Sequence, residues 1–456
     1  MKDNVYTKVA LSIAGSDPSS GAGVEADLKT FSVLGVYGTI AITAVTVQNT
    51  CGIKHIEYID PGIVVEQVKV ILEDMDVNAI KTGLLGRKET INALADLLKT
   101  IDKPIVVDPI IYAKDGTRLL DDEALEVLMK NLLPISTIVT PNRIEAERLT
   151  GMTIRNLEDA KEAAKYIVEE LGAKAVVVKG GHLQGDFAID VVYYNGEYRE
   201  YATPRITSEE VHGTGCVFSA AITAELAKGK DVFEAVNVAK QLITLAIDYK
   251  LKLGKGYSLA NPLAWIDIAA EKYHIQENIR EALKIIEEHG NLISKYVPEV
   301  QINLVMALPK PYARDINDVA GVLGRIVRYD DTVKPAGPII FGASRHLARA
   351  VLKIMEYDPS IRAAMNIKYN EEVIEKAKYL GYKVSFYDRT KEPPEIKKKE
   401  GASTPWGIEQ AVRRIGGVPD LVYHLGDWGK EPMIVLFGKT AVDVVKKLIR
   451  ILTIPD

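Results

Sequence analysis

Short, mostly apolar runs recur along the first half of the chain, each ending in a glycine or polar turn and most leading into a helical pattern. Val9 to Ile13 ends in Ala14-Gly15-Ser16-Asp17-Pro18-Ser19-Ser20-Gly21-Ala22-Gly23, ahead of the helical Val24 to Leu34. Thr39 to Val47 ends in Gln48-Asn49-Thr50, Ala79 to Thr82 in Gly83-Leu84-Leu85-Gly86, and Ile105-Val106-Val107 in Asp108-Pro109, with helical stretches at 62–75 and 88–100 between them. Ile138-Val139-Thr140 and Ala175 to Lys179 repeat the scheme. Strands buried on both faces and alternating with helices predict an α/β fold, a mostly parallel sheet covered by helices. Ligands on such sheets gather at strand carboxyl ends, where Asp17, Gln48 and Asp108 would lie.

The 456 residues exceed what one core holds, so two or three domains are expected. An apolar content of 47%, a charged content of 26% and a net charge of −5 describe a globular chain without a general nucleic-acid-binding surface. The two cysteines, Cys51 and Cys216, make no disulfide framework or zinc cluster. The start, Met1 to Tyr6, lacks an apolar signal core, and no run of about 18 uncharged apolar residues occurs. A cytoplasmic protein is expected, acting on small molecules, with no nucleic-acid or membrane partner and as a homodimer.

Chemistry is expected first at Val211-His212-Gly213-Thr214-Gly215-Cys216, where two glycines run into the apolar Val217 to Leu226. Glycines ahead of a helix turn free N–H groups toward one point and the helix dipole adds positive charge, which makes an anion hole. Cys216 at that helix mouth is expected to have a lowered thiol pKa. Asn142 and Glu145, one turn apart, can hold magnesium, the alternative being a plain helix cap with an exposed glutamate. Lys179 and His182 are available for phosphate, and Gln48 can offer paired donor and acceptor groups to a heterocycle. Neither GxxxxGK[ST] nor GxGxxG is present near Gly15.

Leu253-Gly254-Lys255-Gly256 and Asn261-Pro262 mark a boundary, giving a first domain at 1–265 and a second at 273–456. In the second, an amphipathic helix is expected from Tyr273 to Tyr296, a strand over 300–308, a helix over 315–327, and a strand over 338–342 leading into a helix at Ser344-Arg345-His346. Ser344 is a suitable N-cap, and cations crowding the positive end of a helix dipole point to an anion there. Strands and helices then alternate to residue 452, a smaller α/β domain. Lys391 to Glu400 reads as a solvated mobile loop, and Asp388-Arg389 and His424 to Gly429 end strands that can face the same site.

The segments AGSDPSSGAGVEADLKTFSVLGVYG, TAVTVQNT, DPIIYAKDG, TPNRIEAERLTG, VVKGGH and VHGTGC, in this order, resemble the hydroxymethylpyrimidine/phosphomethylpyrimidine kinase family of the ribokinase-like superfamily. The resemblance implies two ATP-dependent phosphorylations, of 4-amino-5-hydroxymethyl-2-methylpyrimidine and then of its monophosphate. It places Gln48 on the pyrimidine's ring nitrogen and amino group, with Gly15 and Asp27 nearby and Thr46, Leu84 and Ile110 lining the ring. It puts Asp108, Asn142 and Glu145 on the Mg2+ side, Lys179 and Gly213, Thr214 and Gly215 on ATP phosphates, and Cys216 as catalytic base. Ser20 stands where the family usually has glycine and Leu84 where methionine is common. Residues 275–456, with GRIVRYDD, GPIIFGASRHLARA and YHLGDWGKEP, resemble the ThiN-type thiamine-phosphate synthase domain. This implies joining the pyrimidine pyrophosphate to 4-methyl-5-(2-phosphoethyl)thiazole, with Arg325 and His346 as the active arginine and histidine and Ser344 and Arg345 on phosphate. Two alternatives stand: a second domain that only senses thiamine phosphate, and a kinase acting on pyridoxal.

Overall fold

The structure is a computed structural model and describes residues 7–182, 185–206 and 209–455. Residues 1–6, on which the reading of the chain's start rested, lie outside the described residues, as does the His182 side chain. The chain divides into two compact units, Met1–Ile266 and Asp267–Asp456.

The first unit runs β1 (Val9–Ser16), α1 (Gly23–Val33), β2 (Tyr37–Asn49), β3 (Gly52–Tyr58), α2 (Pro61–Asp74), β4 (Val77–Thr82), α3 (Lys88–Leu98), β5 (Ile105–Val107), α4 (Asp122–Val127), β6 (Ile138–Val139), α5 (Arg143–Thr150), α6 (Leu157–Glu169), β7 (Ala175–Val178), β8 (Phe187–Tyr194), β9 (Glu197–Pro204), β10 (Val211–His212), α7 (Thr214–Ala227), α8 (Val232–Asp248) and β11 (Ser258–Leu259). Nine of these strands form one sheet in the order β3-β2-β1-β4-β5-β6-β7-β8-β9. From β2 to β7 neighbouring strands are parallel, while β3, β8 and β9 add antiparallel edges. The expected ribokinase-like α/β sheet is the one observed.

Two cores explain why these strands carry few polar positions. Leu11, Ile13, Ile80 and Val107 pack on one face with α2 and α3, and Ala10, Ala79, Val106 and Val177 on the other with α7 and α8. Helix α7 is buried from Cys216 to Ala227, so it carries no polar stripe; it lies between α1, α8 and β4. Lys81 breaks the apolar rule on β4. It is fully buried and reaches Asp27 of α1 at 2.7 Å, and Asp27 also accepts from the Ser12 hydroxyl at 2.6 Å. Burial works most strongly against the Lys81 ammonium, but Asp27, with Cys216 and Asp108 behind it, together outweigh burial and raise its pKa.

The second unit contains most of α9 (Ala264–Glu288), then α10 (Gly290–Ile293), β12 (Leu304–Ala307), β13 (Val319–Val322), β14 (Ile326–Tyr329), β15 (Thr332–Pro335), β16 (Ile339–Phe341), α11 (Arg345–Ile354), β17 (Ala363–Lys368), α12 (Glu371–Tyr379), β18 (Val384–Phe386), α13 (Pro394–Lys398), α14 (Ser403–Ile415), β19 (Leu421–His424), β20 (Met433–Gly438) and α15 (Ala441–Leu452). A seven-stranded sheet has the order β16-β13-β12-β17-β20-β19-β18 and is antiparallel except at β18–β19.

Three expectations for this unit are corrected. The helix expected over 315–327 is a short turn followed by β13 and β14. Val319 to Val322 is a fully buried strand, and Gly324 and Arg325 take left-handed φ values of 75° and 73° that no helix tolerates. The helix expected over 273–296 begins earlier, at Ala264, and breaks at His289, where a side chain at Gly290 would collide with Thr332. Lys391 to Glu400 is not a bare loop, because Pro394 at the first helical position opens α13.

The buried pair of Lys81 and Asp27 generates a stability prediction. Lys81→Met strands a carboxylate in the core and should cost about 3–5 kcal/mol, whereas Lys81→Met with Asp27→Leu should recover most of it. Calorimetric unfolding of the two variants beside the parent measures both; equal losses in single and double variants would contradict it.

Candidate active sites

A cavity of about 810 Å³ opens along the carboxyl ends of the central strands in the first unit. Its lining includes Gly15, Thr46, Gln48, Leu84 and Ile110, and also Asn142, Glu145, Lys179 and the start of α7. These are residues the sequence singled out, brought into one space by the carboxyl-terminal parts of β1 and β2 and by the segments that follow β4, β5, β6, β7 and β10.

Asp27 is the exception. It does not line the cavity; it is fully buried behind Lys81, and Lys81 reaches the cavity wall instead. A lysine inside an otherwise apolar strand was the available signal for it. Asp108, expected on the Mg2+ side, lines the cavity. Its Oδ1 accepts from the Thr140 hydroxyl at 3.0 Å and lies 3.3 Å from Lys179 Nζ, and its Oδ2 accepts from the Ser219 hydroxyl at 3.2 Å. Both oxygens serve as a brace between β5, β6, β7 and α7.

The glycine turn opens α7 as expected. Gly213 is its N-cap with φ 82°, and a side chain there would sit 1.7 Å from the Gly21 carbonyl oxygen, so only glycine lets the β1 loop and the helix start meet. The first backbone N–H groups of α7 are left open to an anion, and Lys179 faces Gly215, its Nζ 3.4 Å from where a side chain would begin. Burial lowers the Lys179 pKa, but Asp108 and Glu145 outweigh it and hold the ammonium charged.

Cys216 overturns the expected low thiol pKa. Burial pushes it up to about 12; Lys81 pulls it down, while Asp27 and Asp108 add to the rise. The helix start does not compensate for a site closed to water, so the resting group is a neutral thiol.

Asn142 and Glu145 form a reciprocal cap. The Asn142 side chain accepts from the Glu145 N–H at 3.0 Å, and Glu145 accepts from the Asn142 N–H at 2.7 Å. The glutamate is buried rather than exposed, and burial first, then the nearby Asp108 charge, raise its pKa to about 7 against the pull of Lys179. A buried carboxylate held that close to protonation, beside an amide oxygen and a cavity for phosphates, fits Mg2+, which takes one or two protein oxygens and fills its shell with water and phosphate. Among the described residues no cluster of three or more His, Cys, Asp or Glu side chains makes a metal cage.

Sequence reasoning gave no role to His212, whose Nε2 lies 3.1 Å from Gln48 Nε2 and 3.2 Å from Asp17 Oδ2. Nor did it single out Glu25, which accepts from the Ser16 hydroxyl and the Asp17 N–H at 2.5 and 2.8 Å and holds the β1 loop in place. His212 stood next to the glycine turn, yet nothing in one sequence says which way its ring points.

In the second unit the start of α11 gathers cations. Ser344 occupies the N-cap, but its hydroxyl makes no capping bond, so the expected cap is unused. Arg345 is exposed, 3.8 Å from Glu400. His346 is exposed, its Nδ1 2.9 Å from the Thr404 hydroxyl. Enclosure by protein, then Arg389, Lys430, Arg325 and Arg349, push its pKa down to about 4. Buried His424 falls to about 3, through burial and then Arg389 and His346. Arg325 is exposed and donates to the Val300 carbonyl, within electrostatic reach of His346. Arg389 is buried with its Nε unpartnered, pairs loosely with Glu392 at 3.9 Å and shares a side-chain hydrogen bond with Tyr387. His346 and His424 thus lie within electrostatic reach of several cations.

Residues 17–261 match the phosphomethylpyrimidine kinase family and residues 278–450 the thiamine-phosphate synthase ThiN family. The chain is 34% identical over 444 residues to the bifunctional thiamine biosynthesis protein ThiDN of Methanocaldococcus jannaschii, which covers 96% of this chain and 97% of that protein. The hydroxymethylpyrimidine/phosphomethylpyrimidine kinase of Rhizobium meliloti is 45% identical over 252 residues, 55% of this chain and 95% of its own. Among solved structures, the ADP complex of Bacillus subtilis pyridoxal kinase covers 56% of this chain and 98% of its own at 38% identity, with a TM-score of 0.53. No described helix is long and apolar enough to cross a membrane. The chain therefore belongs to the phosphomethylpyrimidine kinase family and carries a ThiN thiamine-phosphate synthase domain behind its kinase domain, which makes it a bifunctional enzyme of thiamine biosynthesis.

Proposed function

We propose that the first domain phosphorylates 4-amino-5-hydroxymethyl-2-methylpyrimidine and then its monophosphate with ATP, the ring lying against Thr46, Leu84 and Ile110 and its edge on Gln48. The observation that carries this reading is that one cavity is lined both by Thr46, Gln48, Leu84 and Ile110 and by the glycine start of α7 with Lys179 beside it. Phosphoryl transfer asks mainly for alignment and charge neutralisation. Lys179 and the Gly213 to Gly215 amides supply both, with Lys179 and the amides on the phosphoryl oxygens. Glu145 and Asn142 would hold Mg2+, which when bound neutralises charge on the nucleotide phosphates. Cys216 receives the hydroxyl proton in its thiolate form, which Lys81 favours and burial opposes.

The second domain joins the resulting pyrophosphate to 4-methyl-5-(2-phosphoethyl)thiazole. Arg325, Arg345 and Arg389 face the charge that develops on the departing pyrophosphate, and His346, neutral at pH 7, stays able to accept a proton. A homodimer belongs to the same proposal, supported by Val45 and Val47 on β2, which are 46% and 53% exposed. Phosphorylation of pyridoxal is the second reading, favoured by the likeness to pyridoxal kinases; the acceptor and donor of the Gln48 amide favour the aminopyrimidine.

Two predictions follow from these pKa directions. Because burial keeps Cys216 a neutral thiol, kcat for pyrimidine phosphorylation should keep rising from pH 7 to pH 9, and Cys216→Ala should lower it at least about 100-fold, with nucleotide affinity unchanged. A flat pH profile with near-parental turnover of the variant would make Cys216 structural. Glu145 titrates near 7 in the folded chain, above its ordinary value, so the stability its protonated form contributes is lost as pH rises toward and through 7. A cation bound to the ionised form recovers it. With ADP present, the Mg2+-induced rise in Tm should therefore be larger at pH 8 than at pH 6, and Glu145→Gln should remove that difference; equal differences in parent and variant would take Glu145 out of the Mg2+ site.

A further inference from the structure

At the carboxyl ends of β18 and β19, the parallel pair in the second sheet, one strand leads into Tyr387 and Arg389 and the other ends on His424. Ligands gather at such strand ends. His424 is only 4% exposed, and its ring lies 5.2 Å from that of Tyr387. Tyr387 is itself held in place, since a side chain at Gly407 would fall 2.5 Å from its ring. Arg389 and His346 are both within electrostatic reach of His424.

A backbone partner fixes where the His424 ring carries its hydrogen. The Gly426 N–H donates to Nδ1 at 3.2 Å. A backbone N–H has no lone pair to offer in return, so Nδ1 accepts and the hydrogen of the neutral ring sits on Nε2. Burial, then Arg389 and His346, push the ring's pKa down to about 3, so it is neutral at pH 7. The donor is held firmly. Gly426 has φ 86°, a side chain there would meet the Lys430 carbonyl oxygen at 2.4 Å, and Asp427 and Lys430 close the turn with two backbone hydrogen bonds.

Among the described residues this is the ring's only hydrogen bond, so Nε2–H has no protein acceptor. The sealed-off unpartnered polar atoms described in this unit are Arg389 Nε and Glu392 Oε1; Nε2 is not one of them and stays open to a small ligand. A donor left without an acceptor on a buried ring is costly, and a ligand oxygen relieves that cost. We infer that His424 is a ligand-binding residue of the synthase site, its Nε2–H donating to a phosphate oxygen of a substrate beside the Arg389 guanidinium. Arg389 supplies the charge and His424 the direction, without a second buried cation. The oxygen belongs either to the thiazole monophosphate or to the pyrimidine pyrophosphate.

The inference rests on the synthase reading, and the experiment separates the two. Full-length protein receives pyrimidine pyrophosphate and thiazole phosphate, and kcat/KM for thiamine phosphate formation is measured for each substrate with the other saturating. Glutamine places an amide N–H near the position of Nε2, whereas asparagine reproduces only the acceptor at Nδ1. His424→Asn and His424→Phe should lower kcat/KM for at least one substrate on the order of tenfold, and His424→Gln should recover most of the loss. The substrate whose constant falls is the one whose phosphate is held. Nitrogen-15 shifts of the parent imidazole should report the Nε2–H tautomer. Parental constants for both substrates in His424→Asn would reduce His424 to a clasp on the Gly426 turn and overturn the inference. Equal losses in all three variants, or an Nδ1–H tautomer in the parent, overturn it as well. A parent that forms no thiamine phosphate from these substrates overturns the synthase reading, and the inference with it.

Discussion

The Asp108 carboxylate is the joint on which the first domain's chemistry depends. Through Thr140, Lys179 and Ser219 it ties the ends of β5, β6 and β7 to the first turns of α7. Without it, the lysine that faces the anion hole and the helix that forms the hole have no common register. The Gly213 turn adds the second restraint, since its contact with the Gly21 carbonyl locks the β1 loop, and with it Asp17 and Gly15, against the same helix start. A parallel sheet supplies strand ends in a row; these bonds turn the row into a site.

Both domains handle charge by the same physical means. Cations are held ready where an anion will come, and the titratable groups beside them are pushed away from their ordinary pKa by enclosure. In the kinase domain this leaves Cys216 a neutral thiol and Glu145 near half-protonation at pH 7. In the synthase domain it leaves His346 and His424 uncharged among Arg325, Arg349, Arg389 and Lys430. A low-dielectric, positively charged enclosure is what phosphoryl and pyrophosphate chemistry gains most from.

Much of this was legible in the sequence because parallel strands buried on both faces leave a strong apolar signature and end in turns that must carry function. Gln48, Lys179 and the Gly213 to Cys216 turn could be read that way. What escaped has physical reasons. Asp27 stood near the pyrimidine by resemblance, but only the fold shows Lys81 interposed. The Cys216 pKa depends on how tightly α7 is buried, which a helix-start rule does not see. The residues 315–327 carry enough apolar positions for a helix, and the left-handed pair Gly324 and Arg325 that forces a strand turn is marked in the sequence by a single glycine. In the second domain, antiparallel strands of three to six residues give weaker periodicity, so the sheet order was out of reach although most elements were not.

The central claim is that one chain carries the pyrimidine from alcohol to thiamine phosphate. Incubation of the full-length protein with ATP, Mg2+, hydroxymethylpyrimidine and thiazole phosphate, followed by chromatography of the products, tests it most directly. The parent should yield thiamine phosphate, and Arg325→Ala should accumulate pyrimidine pyrophosphate, because only the synthase domain loses its cation. A parent that stops at the pyrophosphate, or an Arg325→Ala variant that no longer phosphorylates the pyrimidine, would contradict it.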